Sequence, residues 1–364
     1  MVKPVLFVLL RPVAMALVAI SLLGGLLGGL IRAGAVSPVA APWPWSAAGW
    51  HAALMMPAFF GAVIGIERAV AVRVRWAYLM PLASVLGGVC LLTGHANWAS
   101  GCFAVAAGVF VAVNALIVRR QSAPHTWMLL GSAIVLCLAN TAFGLTGLSE
   151  AVLAAWFAFL VLTIAAERLE MSRLMRRHPA ANPLLGAVLL ALSLSLVGLW
   201  ANAGWASRLF GLALVVLAIW LGVFDVARRT IHTQGLSRYM AVCLLLGYAW
   251  LAIAGLCWWA QAAVGGYRDA ALHALGLGFV MSMVMGHAPV ILPAVARIKV
   301  HYDARFYLPL AVLHASLIVR LLGGHASPQF KAWGAGLNVA SLVLFVLTMV
   351  TAAISWRRRH SRHS

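Results

Sequence analysis

The sequence predicts an all-α polytopic membrane protein: twelve transmembrane helices in a single transmembrane domain over residues 1–364, with both termini cytoplasmic. Three observations lead there. Of the 364 residues, 64% are hydrophobic and only 9% charged. Apolar stretches of about 20 residues recur from end to end, each long enough to cross a hydrocarbon core about 30 Å thick. The 26 Lys and Arg residues lie mostly in the short connections between those stretches.

Hydropathy places the spans near 12–31, 48–70, 76–94, 98–118, 126–147, 150–167, 183–203, 208–227, 240–262, 270–295, 305–323 and 333–355. No small-residue cleavage site follows the first stretch, so it is expected to be a retained helix and not a signal peptide. The longest connection, 33–47, is rich in Pro and Trp and is expected at the outer interface; many of the 15 tryptophans stand near span ends, as interfacial belts do. The glycines from Gly24 to Gly29 and the pair Gly61/Gly65 are expected to be small-residue faces for helix packing.

The formal charge of +19 suggests nucleic acid, but its distribution excludes that partner. With the termini inside, Arg32, Arg208, Arg268, Arg320 and Lys331 fall near the outside, leaving 21 of the 26 basic residues inside. The inner set includes Arg68, Arg73, Arg75, Arg119, Arg120, Arg173, Arg176, Arg177, Arg228, Arg229, Arg297, Lys299 and Arg357 to Arg359. That asymmetry is the positive-inside signature, and the expected partner is the lipid bilayer. Cys90, Cys102, Cys137, Cys243 and Cys257 all fall in apolar stretches without a C-x-x-C spacing. They read as small core residues and not as a disulfide framework or zinc site.

His51 and His273 open the second and tenth spans in similar contexts, Trp50-His51-Ala52-Ala53-Leu54 and Leu272-His273-Ala274-Leu275. Both helices would run the same way and carry an imidazole at the same depth. The second and sixth spans also share an ending: Phe59, Ile64 and Glu67-Arg68 in one match Phe159, Ile164 and Glu167-Arg168 in the other. Spans two, six and ten are four apart, so the chain is expected to divide into three related units, 1–120, 121–235 and 236–364.

This pattern resembles the catalytic subunit of haem–copper oxidases, with twelve helices in three pseudo-symmetric groups of four. The resemblance implies a low-spin haem between His51 and His273 near the outer face. Spans six and seven contain no histidine, which argues against a copper centre of the oxygen-reducing kind. A closer resemblance runs from Arg268 to Leu322, through His273-Ala274-Leu275, Gly278, Met281, Met283, Gly286-His287-Ala288-Pro289, Pro293, Tyr307-Leu308-Pro309-Leu310 and His314-Ala315-Ser316-Leu317. It is similar to the NnrS family and its relatives, bacterial twelve-helix membrane proteins associated with haem, copper and nitric oxide. The stretch from His51 to Glu67-Arg68-Ala69-Val70-Ala71 is similar to the same proteins. The resemblance implies the bacterial inner membrane, a b-type haem, a membrane or periplasmic electron donor, and a role in nitric oxide or respiratory redox metabolism.

Two neutral imidazoles make a six-coordinate electron-transfer iron. Asp269, one turn before His273, is positioned to orient that ring from behind. Set against this is the plainer reading, in which each histidine is only a polar residue at the headgroups. His287 lies 14 residues beyond His273, about 21 Å deeper; with His314 it forms a candidate second site that could bind copper, hold a second haem, relay protons, or simply join two helices. Pro289 and Pro293 are expected to open the backbone beside it. Glu67 and Glu167 are candidates for an inner-side proton path, or boundary pairs whose Arg68 and Arg168 reach the headgroups. Asp225 is expected to pair with Arg228. The 13 methionines are ordinary packing residues. The competing functions are a secondary transporter for a small metabolite or metal ion, and a scaffold without cofactor. Whether the protein is an enzyme is left open by the residues alone.

Overall fold

The structure, a computed structural model, describes residues 5–173, 178–296 and 298–360. Arg176, Arg177 and Arg297 of the basic connections lie outside them. The described residues are helical with no strands, and twelve helices are long and apolar enough to cross a bilayer. This is a multi-pass, all-α membrane protein.

The chain forms two compact units, Met1–Thr163 and Ile164–Ser364. The first contains span one (Met15–Arg32), two (His51–Val72), three (Arg75–Leu92), four (Ala96–Arg120), five (Pro124–Thr146) and most of six (Glu150–Met171). The second contains the end of span six and spans seven (Ala181–Trp200), eight (Ala206–Phe224), nine (Gly235–Val264), ten (Arg268–Pro293), eleven (Ala304–Ala326) and twelve (Pro328–Arg359). Span six is 89% buried, as expected of a helix that is apolar on every side. The 33–47 connection carries a short helix, Pro42–Gly49, with Trp43 and Trp45 exposed.

Backbone approach sets the packing within each unit. A Cβ at Gly28 would overlap the Ala47 carbonyl, and one at Gly25 would sit 2.6 Å from Met55 Sδ. Gly61 faces Ser84, and Gly65 faces Met80 and Pro81. In the second unit, Gly211 and Gly255 hold spans eight and nine so close that a Cβ on either would meet the other's carbonyl at 2.5 Å. Small residues at such crossings let the backbones meet, which is how helices associate where hydrocarbon surrounds them.

Among the described residues, three spans contain a π-helical stretch. Span two turns π-helical over Leu54–Phe60, span ten over Ala274–Met281 and span eleven over Val319–Gly323. Pro57 lies inside the first of these, where it donates no N–H and crowds the preceding turn. In the second, Trp250 of span nine presses on Gly278, where a Cβ would be 2.5 Å from the indole. The opening expected at Pro289 and Pro293 is not seen: Ser282–Ala296 continues as α-helix through both, and the distortion lies upstream.

Candidate functional site

In the first unit, His51 begins span two after the break at Trp50 and is half-buried. Its Nδ1 lies 2.7 Å from the Gly25 carbonyl of span one. A carbonyl only accepts, so Nδ1 donates, and a neutral His51 carries its lone pair on Nε2. The ring reaches that carbonyl because Gly29 has no side chain; a Cβ there would stand 2.9 Å from His51 Cε1. The glycine face is therefore also a histidine seat. Trp50 meets Phe143 edge-on at 5.8 Å, and Phe143 lies 5.3 Å from the buried Trp156, so aromatic rings line the interior beside this end of the span.

In the second unit, His273 closes the short helical segment Arg268–His273. Its Nδ1 is 2.9 Å from the Asp269 carbonyl and 3.3 Å from the Asp269 carboxylate, so it too donates through Nδ1. Asp269 thus backs His273 as its spacing of one turn suggested. The carboxylate does more than that. Arg320 of span eleven grips it with two bonds of 3.0 Å, from Nε to Oδ2 and from Nη2 to Oδ1, and Lys331 of span twelve approaches Oδ1 at 3.4 Å. A two-pronged guanidinium fixes the plane of the carboxylate as well as its charge.

His51 and His273 share two features. His51 opens its span and His273 stands in the second turn of its own; each is held through Nδ1 by a backbone carbonyl, and each is followed within three residues by a π-helical stretch. Such stretches are uncommon and tend to mark functional sites.

His287 and His314 are held in opposite ways. His287 Nδ1 donates to the Met283 carbonyl at 2.7 Å. His314 Nδ1 accepts from the indole N–H of Trp250 at 2.7 Å. An indole only donates, so a neutral His314 carries its proton on Nε2, whereas His287 carries its lone pair there. Both Nε2 atoms are buried without a hydrogen-bond partner, so no hydrogen bond joins the two rings. A metal held by both Nε2 atoms needs two lone pairs, and the Trp250 bond gives His314 a proton instead. As held by these bonds, the pair does not fit the expected copper or second haem.

Arg68 and Arg168 are 9% and 5% exposed, which is burial and not the headgroup contact expected of them. Arg68 Nη2 lies 4.0 Å from Glu67, and Glu167 is half-buried. Asp225 does not use Arg228: its Oδ1 accepts the Ala227 amide at 2.6 Å, and Arg228 reaches back to the Val223 carbonyl. Asp225 instead stands beside the buried Tyr248 hydroxyl, and the Arg168 charge lies near both Tyr248 and His287. Among the described residues no group of three or more His, Cys, Asp or Glu could hold a metal ion. A metal that brings its own equatorial ligands needs only two.

Sequence reasoning missed Arg320 and Trp250 as site residues. Arg320 had a usable signal, being an arginine inside an apolar span, where a charge is kept only for a partner or a function. Trp250 had none, since one tryptophan among 15 carries no label.

The fold and these clusters define a twelve-span, all-helical membrane protein with histidines seated at span ends. The chain belongs to the family described as Domain of unknown function (DUF8744), which it matches over residues 11–354. No curated protein and no solved structure matches it.

Proposed function

We propose that the protein is a haem-binding membrane protein similar to NnrS proteins, acting in nitric oxide or respiratory redox metabolism in the bacterial inner membrane. His51 and His273 would hold a b-type haem through Nε2, in a bundle of three pseudo-symmetric four-helix units with both termini inside. The observation that carries this reading is the similar seating of two imidazoles within the first two turns of their spans. Each donates through Nδ1 to a fixed carbonyl, the arrangement that orients a metal-binding histidine and leaves Nε2 with its lone pair. The residues therefore fit the group. A haem with two axial histidines supplies one-electron transfer. The protein's own contribution is to fix both rings, and on the His273 side to back the ring with Asp269, itself held by Arg320 and Lys331. A membrane or periplasmic donor would supply the electron. Glu67 and Glu167 would take up protons on the inner side, and the His287/His314 pair would pass them.

The test is an absorption spectrum of the purified protein, oxidised and reduced. Sharp split bands on reduction are expected, lost in both His51→Ala and His273→Ala and kept in His314→Ala. A folded, colourless protein from haem-sufficient cells would overturn the reading and favour a secondary transporter.

A further inference from the structure

Span twelve outruns the bilayer. It covers Pro328–Arg359, about 48 Å at 1.5 Å per residue, against a hydrocarbon core about 30 Å thick. Trp333, exposed near one end, and Trp356, near the other, are about 34 Å apart along the helix, the separation of two interfacial aromatic belts. Arg357, Arg358 and Arg359 follow Trp356, so they stand in the headgroup layer, and all three are exposed. The connection between spans ten and eleven lies against this end. The His301 amide donates to the Ala352 carbonyl at 3.1 Å, one turn before Trp356, and the Lys299 ammonium sits 5.0 Å from the centre of the Trp356 ring. Arg359, three residues after Trp356, shares that face of the helix. Cations from two separate segments thus gather around one indole. On the neighbouring flank, Val343, Leu347, Val350 and Ile354 are exposed at helical spacing, and this apolar stripe runs up to Arg357.

We propose that Lys299, Arg357 and Arg359 bind the phosphodiester of an anionic phospholipid, with Trp356 as the platform that holds Lys299 in place. The aromatic seat fixes the Lys299 side chain without neutralising it; a cation over an indole keeps N–H donors for an anion beyond the ring. The carbonyl end of span twelve contributes only about half a negative charge, far less than the basic residues gathered there. Residues 298–360 contain one acid, Asp303, and both of its oxygens are bonded to Arg305. The complementary partner is therefore an anion of the headgroup layer. The apolar stripe below Arg357 makes that anion a lipid: free phosphate would meet the cations alone, whereas a phospholipid meets the cations with its headgroup and the stripe with its acyl chains. The site does not depend on the haem.

The test uses the purified full-length protein, stripped of lipid in a neutral detergent and titrated with phosphatidylglycerol or with phosphatidylcholine of the same acyl chains, the bound lipid being counted by native mass spectrometry. Phosphatidylglycerol is expected to bind the more tightly. A basic residue near an anionic surface is worth about fivefold in affinity, so Lys299→Ala and Arg359→Gln should each weaken phosphatidylglycerol about fivefold, and Lys299→Arg should keep it. Trp356→Leu keeps every charge but removes the platform, and should weaken binding as well. Arg208→Gln removes an exposed cation near the start of span eight and should leave binding unchanged. Equal binding of the two lipids, a loss in Arg208→Gln as large as in Lys299→Ala, full binding in Trp356→Leu, or displacement of the lipid by inorganic phosphate overturns the proposal. Where Trp356→Leu folds poorly, the contrast between Lys299→Ala and Arg208→Gln still decides.

Discussion

Replacing Asp269 by Asn keeps the shape of the side chain and removes the carboxylate that Arg320, Lys331 and His273 share. Arg320 is 6% exposed, so its guanidinium cannot turn to water when the charge is lost. Removing one partner of a buried ion pair costs about 3–5 kcal/mol, because the remaining charge is stranded. Lys331 is about one-third exposed, and its contribution is screened to below about 1 kcal/mol. The structure therefore sets the cost of Asp269→Asn near the bottom of the buried range, at about 3 kcal/mol. Each kcal/mol moves Tm by about 2–4 °C in a protein unit of this size, so a fall of about 6–12 °C is expected. The assay is thermal unfolding in detergent, followed by tryptophan fluorescence, for Asp269→Asn, Arg320→Met and the double variant. Arg320→Met alone should cost less than Asp269→Asn, since Lys331 remains to face the carboxylate. The double variant should cost at least about 1 kcal/mol less than the two singles together, because the second change removes the charge stranded by the first. Additive costs, or an Asp269→Asn variant within about 1 °C of wild type, would refute the claim that this carboxylate holds spans ten, eleven and twelve together.

Two further outcomes test other parts of the structure. Gly28→Ala places a methyl group on the Ala47 carbonyl and should cost about 1–3 kcal/mol through backbone displacement, whereas Gly101→Ala, with open space around it, should be neutral or stabilising; equal Tm values for the two would show that the glycine face does not set the packing of span one. Asp303 lies outside the spans, where its carboxylate accepts the Arg305 amide at 2.9 Å, and the bonded Arg305 side chain holds the carboxyl below its usual range. A depressed folded-state pKa adds stability above the unfolded value of about 3.8 and loses it as pH falls through the folded value. Asp303→Ala should therefore lower stability at pH 7 by the amount of a helix cap, about 0.5–1 kcal/mol, read as a lower Tm, and the gap to wild type should close as pH falls below about 4; a gap that is constant from pH 7 to pH 3 would contradict this origin.

The legible part of this protein was the part that depends on counting. Twelve spans follow from apolar length, because a helix crossing hydrocarbon must satisfy its own backbone and expose little else. The His51 and His273 positions were readable for a related reason, since a histidine at the start of an apolar run stands out from its neighbours. Asp269 behind His273 followed from helical spacing alone. Arg68 and Arg168 misled because the sequence shows only that an arginine ends a span; whether it turns toward headgroups or into the protein depends on which neighbours surround that end. Asp225 misled in the same way: its nearest cation in sequence, Arg228, had a carbonyl within reach, and the aspartate had an amide.

Composition and periodicity alone determined that the chain is a helical membrane protein, how many times it crosses, and where its rare polar residues fall along each helix. Tertiary structure alone decided which of those residues meet. Arg320 reaches Asp269 across 51 residues of chain, and Trp250 reaches His314 across 64. The physical reason is that hydropathy is a property of a segment, whereas a hydrogen bond depends on the rotation and depth of two packed helices. The glycine faces were visible in the sequence, but which helices they bring together, and where the π-helical turns fall, were not.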